Sequence, residues 1–148
     1  VGVFSASYTE FLAECLGRLG VRRAFVVHGA DGMDEISICM STRISELKNG
    51  SVKTSEFNPR KYFPDGANFS ELKGGDPSEN AEITRGILTG KIRSGARDVC
   101  ILNAAAGIIV GGGADGFDEA VKKAAESLDS GAAYEKLKIL VDFSNQQK

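Results

Sequence analysis

The amino-acid sequence predicts an α/β fold, in which a sheet with a mainly parallel core plus an antiparallel hairpin is covered by helices. Three observations lead to this prediction. Several segments repeat apolar residues at steps of three and four, which is the spacing of a helix face. Residues 24–27 form a continuous apolar run, which is typical of a strand covered on both faces and hence of a parallel sheet. Asn49-Gly50 separates two polar, β-branched runs and predicts a tight hairpin within residues 41–57.

The first two elements are predicted to be a helix and a buried strand. The helix is expected over residues 8–19, with Ser7 and Glu10 forming a capping box at its start and Gly20 ending it. The strand is expected over residues 23–28. A helix that leads into a buried strand is what a covered sheet requires.

The remainder of the chain is predicted to be helical, apart from one long loop over residues 58–75 with a single helical turn at 69–72. Asp76, Pro77 and Glu79 have the pattern of a helix start, and that helix should run to about residue 89. Residues 96–110 fit either a buried strand or a buried helix, and their alanines favour the helix. We expect amphipathic covering helices at residues 116–128 and 131–143.

Composition limits the possible functions. The 148 residues suit a single domain, and 18 basic against 20 acidic side chains give a net charge of -2. We therefore expect no nucleic-acid partner and no attraction to an anionic membrane. Three scattered cysteines and one histidine argue against a disulfide framework and a zinc cluster, and favour reduced thiols in a cytoplasmic protein. No apolar run approaches the roughly 20 residues of a membrane span. Because the chain opens with Val1 and a short apolar stretch, we expect it to continue upstream.

The loop after the predicted strand contains the strongest candidates for functional side chains. Residues 29–35 contain two glycines, which allow the backbone to turn, and three carboxylates. Asp34 and Glu35 are candidate metal ligands, because Mg²⁺ accepts one or two carboxylates and fills its other positions with water and substrate phosphate. From the residues alone, a cap or a solvent-exposed position is the more common role for such side chains. Asp31 is predicted to be a turn residue.

Other candidates have simpler explanations. His28 could act as an acid or base, but a lone histidine that ends a buried strand is more often structural. The glycine-rich run at 107–116 lacks a preceding strand and a lysine, so we expect a helix-terminating turn before an Asp115 cap and not a phosphate cradle. Gly74-Gly75-Asp76 is predicted to be a helix cap and not an anion site. A single histidine offers no support for nucleophilic catalysis.

Four segments in order carry a resemblance to a known family. Residues 26–37 (VVHGADGMDEIS), 74–81 (GGDPSENA), 102–106 (LNAAA) and 128–133 (LDSGAA) resemble anthranilate phosphoribosyltransferases. The resemblance implies that the chain is a partial large α/β domain of the family fold. It also implies a reaction of tryptophan biosynthesis, in which the phosphoribosyl group of phosphoribosyl pyrophosphate passes to anthranilate with the help of Mg²⁺. By family correspondence, Asp34 and Glu35 are the metal-binding pair.

The departures from the family pattern matter as well. The family's amino-terminal helical domain, its Gly-Thr-Gly-Gly-Asp pyrophosphate loop and its Lys-His-Gly-Asn stretch have no counterpart in residues 1–148. We therefore expect the chain to be inactive alone and to bind Mg²⁺ only weakly. The resemblance implies a homodimer for the full-length enzyme, usually built through the helical domain, so this expectation is not carried over to the chain. Ala30 also departs from many members.

Two alternatives remain open. The chain could belong to a nucleoside phosphorylase-like enzyme of the same fold, which would use phosphate and a nucleoside. It could also be a non-catalytic binding module, or a subunit that needs a separate partner chain.

Overall fold

The computed structural model describes residues 1–146, which form an α/β fold. Helix α1 (Tyr8–Arg18) is followed by strands β1 (Arg23–Gly29), β2 (Thr42–Lys48) and β3 (Ser51–Phe57). Two 3-10 helices, Pro59–Lys61 and Phe69–Leu72, lie in the long loop before helices α2 (Pro77–Leu88), α3 (Gly95–Val110), α4 (Phe117–Asp129) and α5 (Ala132–Asn145). Every helix predicted from the sequence is confirmed, including the helical choice for residues 96–110.

The sheet differs from the prediction in strand direction. Its strands lie in the order β1-β2-β3, and both pairs are antiparallel. The mainly parallel core is therefore not found among the described residues. Their one parallel pairing is an isolated bridge between Gly2 and Val27, in which Val27 N donates to Val1 O (2.9 Å) and Val3 N donates to Val27 O (3.0 Å). The chain between β1 and β2 contains no crossover helix, so β2 returns antiparallel to β1.

Burial on both faces, and not parallel pairing, accounts for the continuous apolar run in β1. Phe25 and Val27 point into a cluster with α3 and α4, whereas Ala24 and Val26 point into a second cluster with Ala13 of α1. An antiparallel strand that lies between two helical layers thus acquires the same sequence pattern as a parallel one.

The hairpin is confirmed, and it makes up two of the three strands of the sheet. Asn49 (φ 52°) and Gly50 (φ 80°) both lie in the left-handed region, as a two-residue turn between β2 and β3 requires. Strand β2 is the central strand, so the hairpin is part of the core and not an addition at its edge.

Helix α1 and the last helix expose more apolar surface than a covering helix usually does. In α1, Phe11 is 62% exposed, and the predicted capping box is not formed because the Ser7 hydroxyl pairs with that of Ser5 (3.0 Å). In α5, four apolar side chains are 46–62% exposed: Ile139, Leu140, Val141 and Phe143. Within residues 1–146, no helix has the length and apolar character needed to cross a membrane.

The predicted start of α2 is confirmed in detail. The Asp76 side chain accepts hydrogen bonds from Ser78 N (2.8 Å) and Glu79 N (2.9 Å), and the Glu79 carboxylate accepts one from Asp76 N (2.9 Å). Pro77 occupies the first turn, where a missing N–H costs nothing. These bonds satisfy the free amides of the helix start.

Replacing Asp76 with alanine should lower the free energy of unfolding by about 1 kcal/mol, because two helix amides lose their acceptor. Urea unfolding followed by circular dichroism measures the loss. Asp76→Asn is the control, since its amide oxygen still accepts, and it should retain most of the stability. Equal losses in both variants would contradict a capping role.

Candidate functional site

The candidate site begins where β1 ends, at a tight turn. Gly29 N donates to Met33 O (2.8 Å), and Gly32 N donates to Gly29 O (2.9 Å) while Gly32 adopts φ 91°. Asp31 accepts hydrogen bonds from Met33 N (3.2 Å) and from the Ser37 hydroxyl. Asp31 is thus a turn residue, as predicted, and both oxygens of its carboxylate accept hydrogen bonds from within the loop.

Ser37 ties the loop to the start of β2. Its buried hydroxyl donates to Asp31 and accepts from Cys39 N (3.0 Å) and Met40 N (3.1 Å). Ser37 N donates to the hydroxyl of buried Thr42 (2.9 Å). Because these polar groups are satisfied inside the protein, the segment after the carboxylates has a fixed path.

The other side of the loop is tied to α3 through Asn103. The Asn103 side-chain amide accepts a hydrogen bond from Ile36 N (2.9 Å) and donates one to Ile36 O (3.0 Å). Ile36 directly follows Glu35, and its own side chain is only 1% exposed. The helical layer therefore fixes the backbone immediately after the acidic pair.

The amino-terminal segment packs on the same loop. A Cβ added at Gly2 would overlap the carbonyl oxygen of Asp34, so the two backbones are in direct contact. The ring Nδ1 of His28 donates to Val3 O (2.9 Å) and helps to hold this segment beside β1. In the structure, His28 thus has the structural role that a lone histidine most often has.

Asp34 and Glu35 lie at the rim of a cleft of about 610 Å³. Its walls are largely apolar and come from α1, the turn that follows α1, β1 and α3: Leu16, Val21, Phe25, Ala106 and Val110. Within residues 1–146, neither carboxylate accepts a side-chain or backbone hydrogen bond, and neither forms an ion pair. The pair is therefore available to a ligand, in contrast to Asp31.

The electrostatics of the pair favour a cation. Burial raises the pKa of Glu35 from its ordinary value of 4.5, the charge of Asp34 raises the pKa further, and the amino group of Val1 opposes the change. Two neighbouring carboxylates that repel each other are stabilised when a divalent ion binds them. No group of three or more His, Cys, Asp or Glu side chains suited to a metal occurs in the described part of the chain. Mg²⁺ suits such a pair, because it takes its other ligands from water and phosphate.

Of the two glycine-rich candidates, Gly74-Gly75-Asp76 does not line the cleft, and the run 107–116 contributes only Gly107 and Val110, which belong to the last turn of α3. The turn after α3 ends that helix, with Gly113 N donating to Ile108 O (2.8 Å). The predicted Asp115 cap is wrong, because Gly116 occupies the cap position of α4 and no side chain caps it. Asp76 is a cap, as predicted.

Sequence reasoning did not assign roles to Gly2, Ser37 or Asn103. The signal for Asn103 was present, since it is the one polar amide in the apolar stretch 99–110. A polar group on a largely buried helix face needs partners, and two of the three hydrogen bonds of Asn103 go to Ile36, which lies 67 positions away in the sequence. Gly2 gave no signal without the fold.

Comparison with known proteins gives one family and a consistent set of relatives. The family model described as "Glycosyl transferase family, a/b domain" matches residues 1–134. Two similar proteins, both called anthranilate phosphoribosyltransferase, come from Desulfosudis oleivorans (48% identity, 97% of this chain, 42% of that protein) and Syntrophobacter fumaroxidans (50%, 99% and 43%). The chain thus spans about two fifths of the length of these relatives.

Solved structures agree with the sequence relatives. The anthranilate phosphoribosyltransferase of Thermus thermophilus superimposes with a TM-score of 0.86 at 37% identity, over 96% of this chain and 41% of that one. The Saccharomyces cerevisiae enzyme in complex with PRPP and Mg gives a TM-score of 0.85 at 26% identity, over 95% and 41%.

Gly2→Ala should cost about 1–3 kcal/mol of unfolding free energy, because the new methyl group collides with the Asp34 backbone and displaces residues 1–3. Urea unfolding gives the cost, and amide NMR shifts of Val27 and Asp34 report the displacement. Gly107→Ala is the control, since nothing lies within 4 Å of its added Cβ, and alanine favours the helix. Unchanged stability and shifts in Gly2→Ala would contradict the contact.

Glu35→Gln should raise the melting temperature slightly at pH 7 and not at pH 4. The folded-state pKa of Glu35 is raised, so the folded chain holds its proton more readily than the unfolded chain. The contribution of Glu35 to stability therefore falls as pH rises from 4.5 through the folded pKa, and glutamine avoids this loss. Melting temperatures measured at pH 4 and pH 7 without divalent ions test this prediction, and Glu126→Gln, at an exposed position, is the control. A difference independent of pH would refute the raised pKa.

Proposed function

The chain belongs to the glycosyl transferase family, a/b domain, and from that premise we propose that it is the large-domain portion of an anthranilate phosphoribosyltransferase. In this reaction the phosphoribosyl group of phosphoribosyl pyrophosphate passes to the amine of anthranilate, and pyrophosphate leaves. The observation that carries the proposal is the loop after β1, which presents Asp34 and Glu35 without internal partners. Similar proteins of this name support the substrates.

Asp34 and Glu35 are proposed to hold Mg²⁺. When bound, the ion would supply positive charge against the departing pyrophosphate. The Saccharomyces cerevisiae relative in complex with PRPP and Mg supports this choice of metal. The chain contributes a fixed loop and a largely apolar cleft wall, in which charges interact more strongly than in water. No side chain is proposed as a nucleophile.

The proposal includes the parts of the enzyme that lie outside this chain. An amino-terminal helical domain and a pyrophosphate loop would complete the site, and the full-length enzyme would be a homodimer. The bridge between Gly2 and Val27 supports a parallel strand layer beside β1 in the complete domain. A cytoplasmic location is proposed with this function, and the free thiols Cys15, Cys39 and Cys100 suit a reducing compartment.

A chimera tests the proposal. The matching 144-residue region of the Desulfosudis oleivorans relative is replaced by this chain, and consumption of anthranilate is followed by fluorescence with PRPP and Mg²⁺. We expect an active chimera, whereas the chain alone should show no turnover. Combining Asp34→Asn with Glu35→Gln should lower kcat/KM by about 100-fold or more, because several kcal/mol of charge stabilisation is lost. Asp115→Asn, an exposed carboxylate outside the cleft, is the matched control.

Three outcomes would contradict the proposal in different ways. An active chimera that tolerates the double substitution would exclude the metal role of the pair. A folded chimera that is inactive with PRPP but cleaves a nucleoside with phosphate would favour the phosphorylase-like alternative. A folded chimera that is inactive in both assays would favour a binding module or partner-dependent subunit.

A further inference from the structure

Asn103 joins the helical layer to the chain directly after Glu35. Its side-chain amide makes two hydrogen bonds to one residue, accepting from Ile36 N (2.9 Å) and donating to Ile36 O (3.0 Å). The same amide also donates to Val99 O in its own helix (3.0 Å), which fixes the side chain against α3. The result is a clamp between two segments that are 67 positions apart in the sequence.

The surroundings of this clamp are apolar. Four residues of α3 form part of the main core and are at most 1% exposed: Ile101, Leu102, Ala105 and Ile109. A polar amide beside such a surface is costly unless it is hydrogen-bonded, and Asn103 meets this condition with three bonds. Two of the three bonds go to the backbone that carries the carboxylate pair.

The clamp completes the support of the pair. Upstream, Gly2 lies against the Asp34 backbone, and the Met33 carbonyl is held by Gly29. Downstream, Ile36 is the first residue after the pair and is bonded to Asn103, and the hydrogen bonds of Ser37 follow at the next position. Asn103 also lines the same cleft as the two carboxylates. Carboxylates that repel each other need a rigid backbone if they are to face one ion.

We propose that Asn103 is a positioning residue that holds the Asp34 and Glu35 carboxylates in the arrangement that binds a divalent cation. It acts through the Ile36 backbone and does not contact the ion. This inference rests on the proposed function, because it presupposes that the pair binds metal. Partners of metal ligands that fix ligand orientation typically change metal affinity by about 10- to 100-fold when they are removed.

Paramagnetic NMR on the ¹⁵N-labelled chain tests the proposal, with Mn²⁺ as the probe. In the unsubstituted chain, Mn²⁺ should broaden the amide signals of Asp34, Glu35 and Ile36 first. Asn103→Ala should raise the Mn²⁺ concentration for half-maximal broadening about tenfold. Amide hydrogen exchange at Ile36 should become faster in the same variant, because its acceptor is gone.

Two control variants separate positioning from general stability. Asn80→Ala removes an equivalent clamp, in which the Asn80 amide accepts from Gly75 N (2.9 Å) and donates to Gly75 O (2.9 Å), away from the cleft. Ile109→Val removes one buried methyl group from α3 and should cost about 0.5–1.5 kcal/mol of stability. Both variants should leave the Mn²⁺ midpoint unchanged.

The outcomes distinguish this inference from the proposed function. If the unsubstituted chain shows no broadening at Asp34 and Glu35, or if Asp34→Asn does not weaken it, the metal role itself fails. If the unsubstituted chain binds but folded Asn103→Ala has the same midpoint, the positioning role is overturned. Should the alanine variant not fold, Asn103→Ser replaces it, because serine can bond the Val99 carbonyl but is too short to clamp Ile36. The expected result is the same.

Discussion

Strand β1 sends alternate side chains into two separate apolar clusters, and the placement of the other elements follows from this division. Phe25 and Val27 face α3 and α4, and Ala24 and Val26 face α1. Burying side chains of this size contributes about 1.5–3 kcal/mol for each large residue. A slip of one residue would exchange the two faces, so the register of β1 is strongly fixed. The position of its carboxyl end, and of the loop that follows, is fixed with it.

The loop after β1 makes this strand end a candidate site, because only some of its polar groups have hydrogen-bond partners inside the protein. Asp31 and Ser37 make their hydrogen bonds inside the loop, and Asn103 satisfies both backbone groups of Ile36. Each of these bonds limits the backbone without occupying Asp34 or Glu35. The backbone of the loop is therefore held in place while Asp34 and Glu35 keep no partner inside the protein, which is the arrangement that the proposed cation site requires.

Local patterns predicted most of the fold. The helices and the hairpin depend on spacing and turn chemistry within about 15 residues, which a sequence displays directly. Whether neighbouring strands are parallel or antiparallel depends on which segments pair. Because β1 is buried on both faces, its sequence pattern is the same as that of a parallel strand. Of the two predicted capping boxes one is formed and one is not, because a capping side chain can also bond to another nearby group. Asp76 forms its box, whereas Ser7 pairs with Ser5 instead.

The site was predicted only as far as its residue types allowed. Asp34 and Glu35 stood out as neighbouring carboxylates in a glycine-bent loop, but the residues alone could not separate a metal pair from solvent-exposed acids. The resemblance to a family favours the metal pair, and this role stays a prediction. The Asn103 clamp and the Gly2 contact join segments that are distant in the sequence, so no local pattern could reveal them.

Under the proposed function, charge explains why the acidic pair matters more than the overall charge of the chain for binding a phosphorylated substrate. A net charge of -2 provides no long-range attraction for phosphate groups. Under the proposed function, a divalent ion at Asp34 and Glu35 reverses the sign of the potential at one point of the cleft rim. The apolar wall formed by Phe25 and Val110 limits solvent screening on that side, so the reversed potential remains local and strong. Recognition of the phosphates then depends on where the loop holds its two carboxylates, and not on the overall composition of the chain.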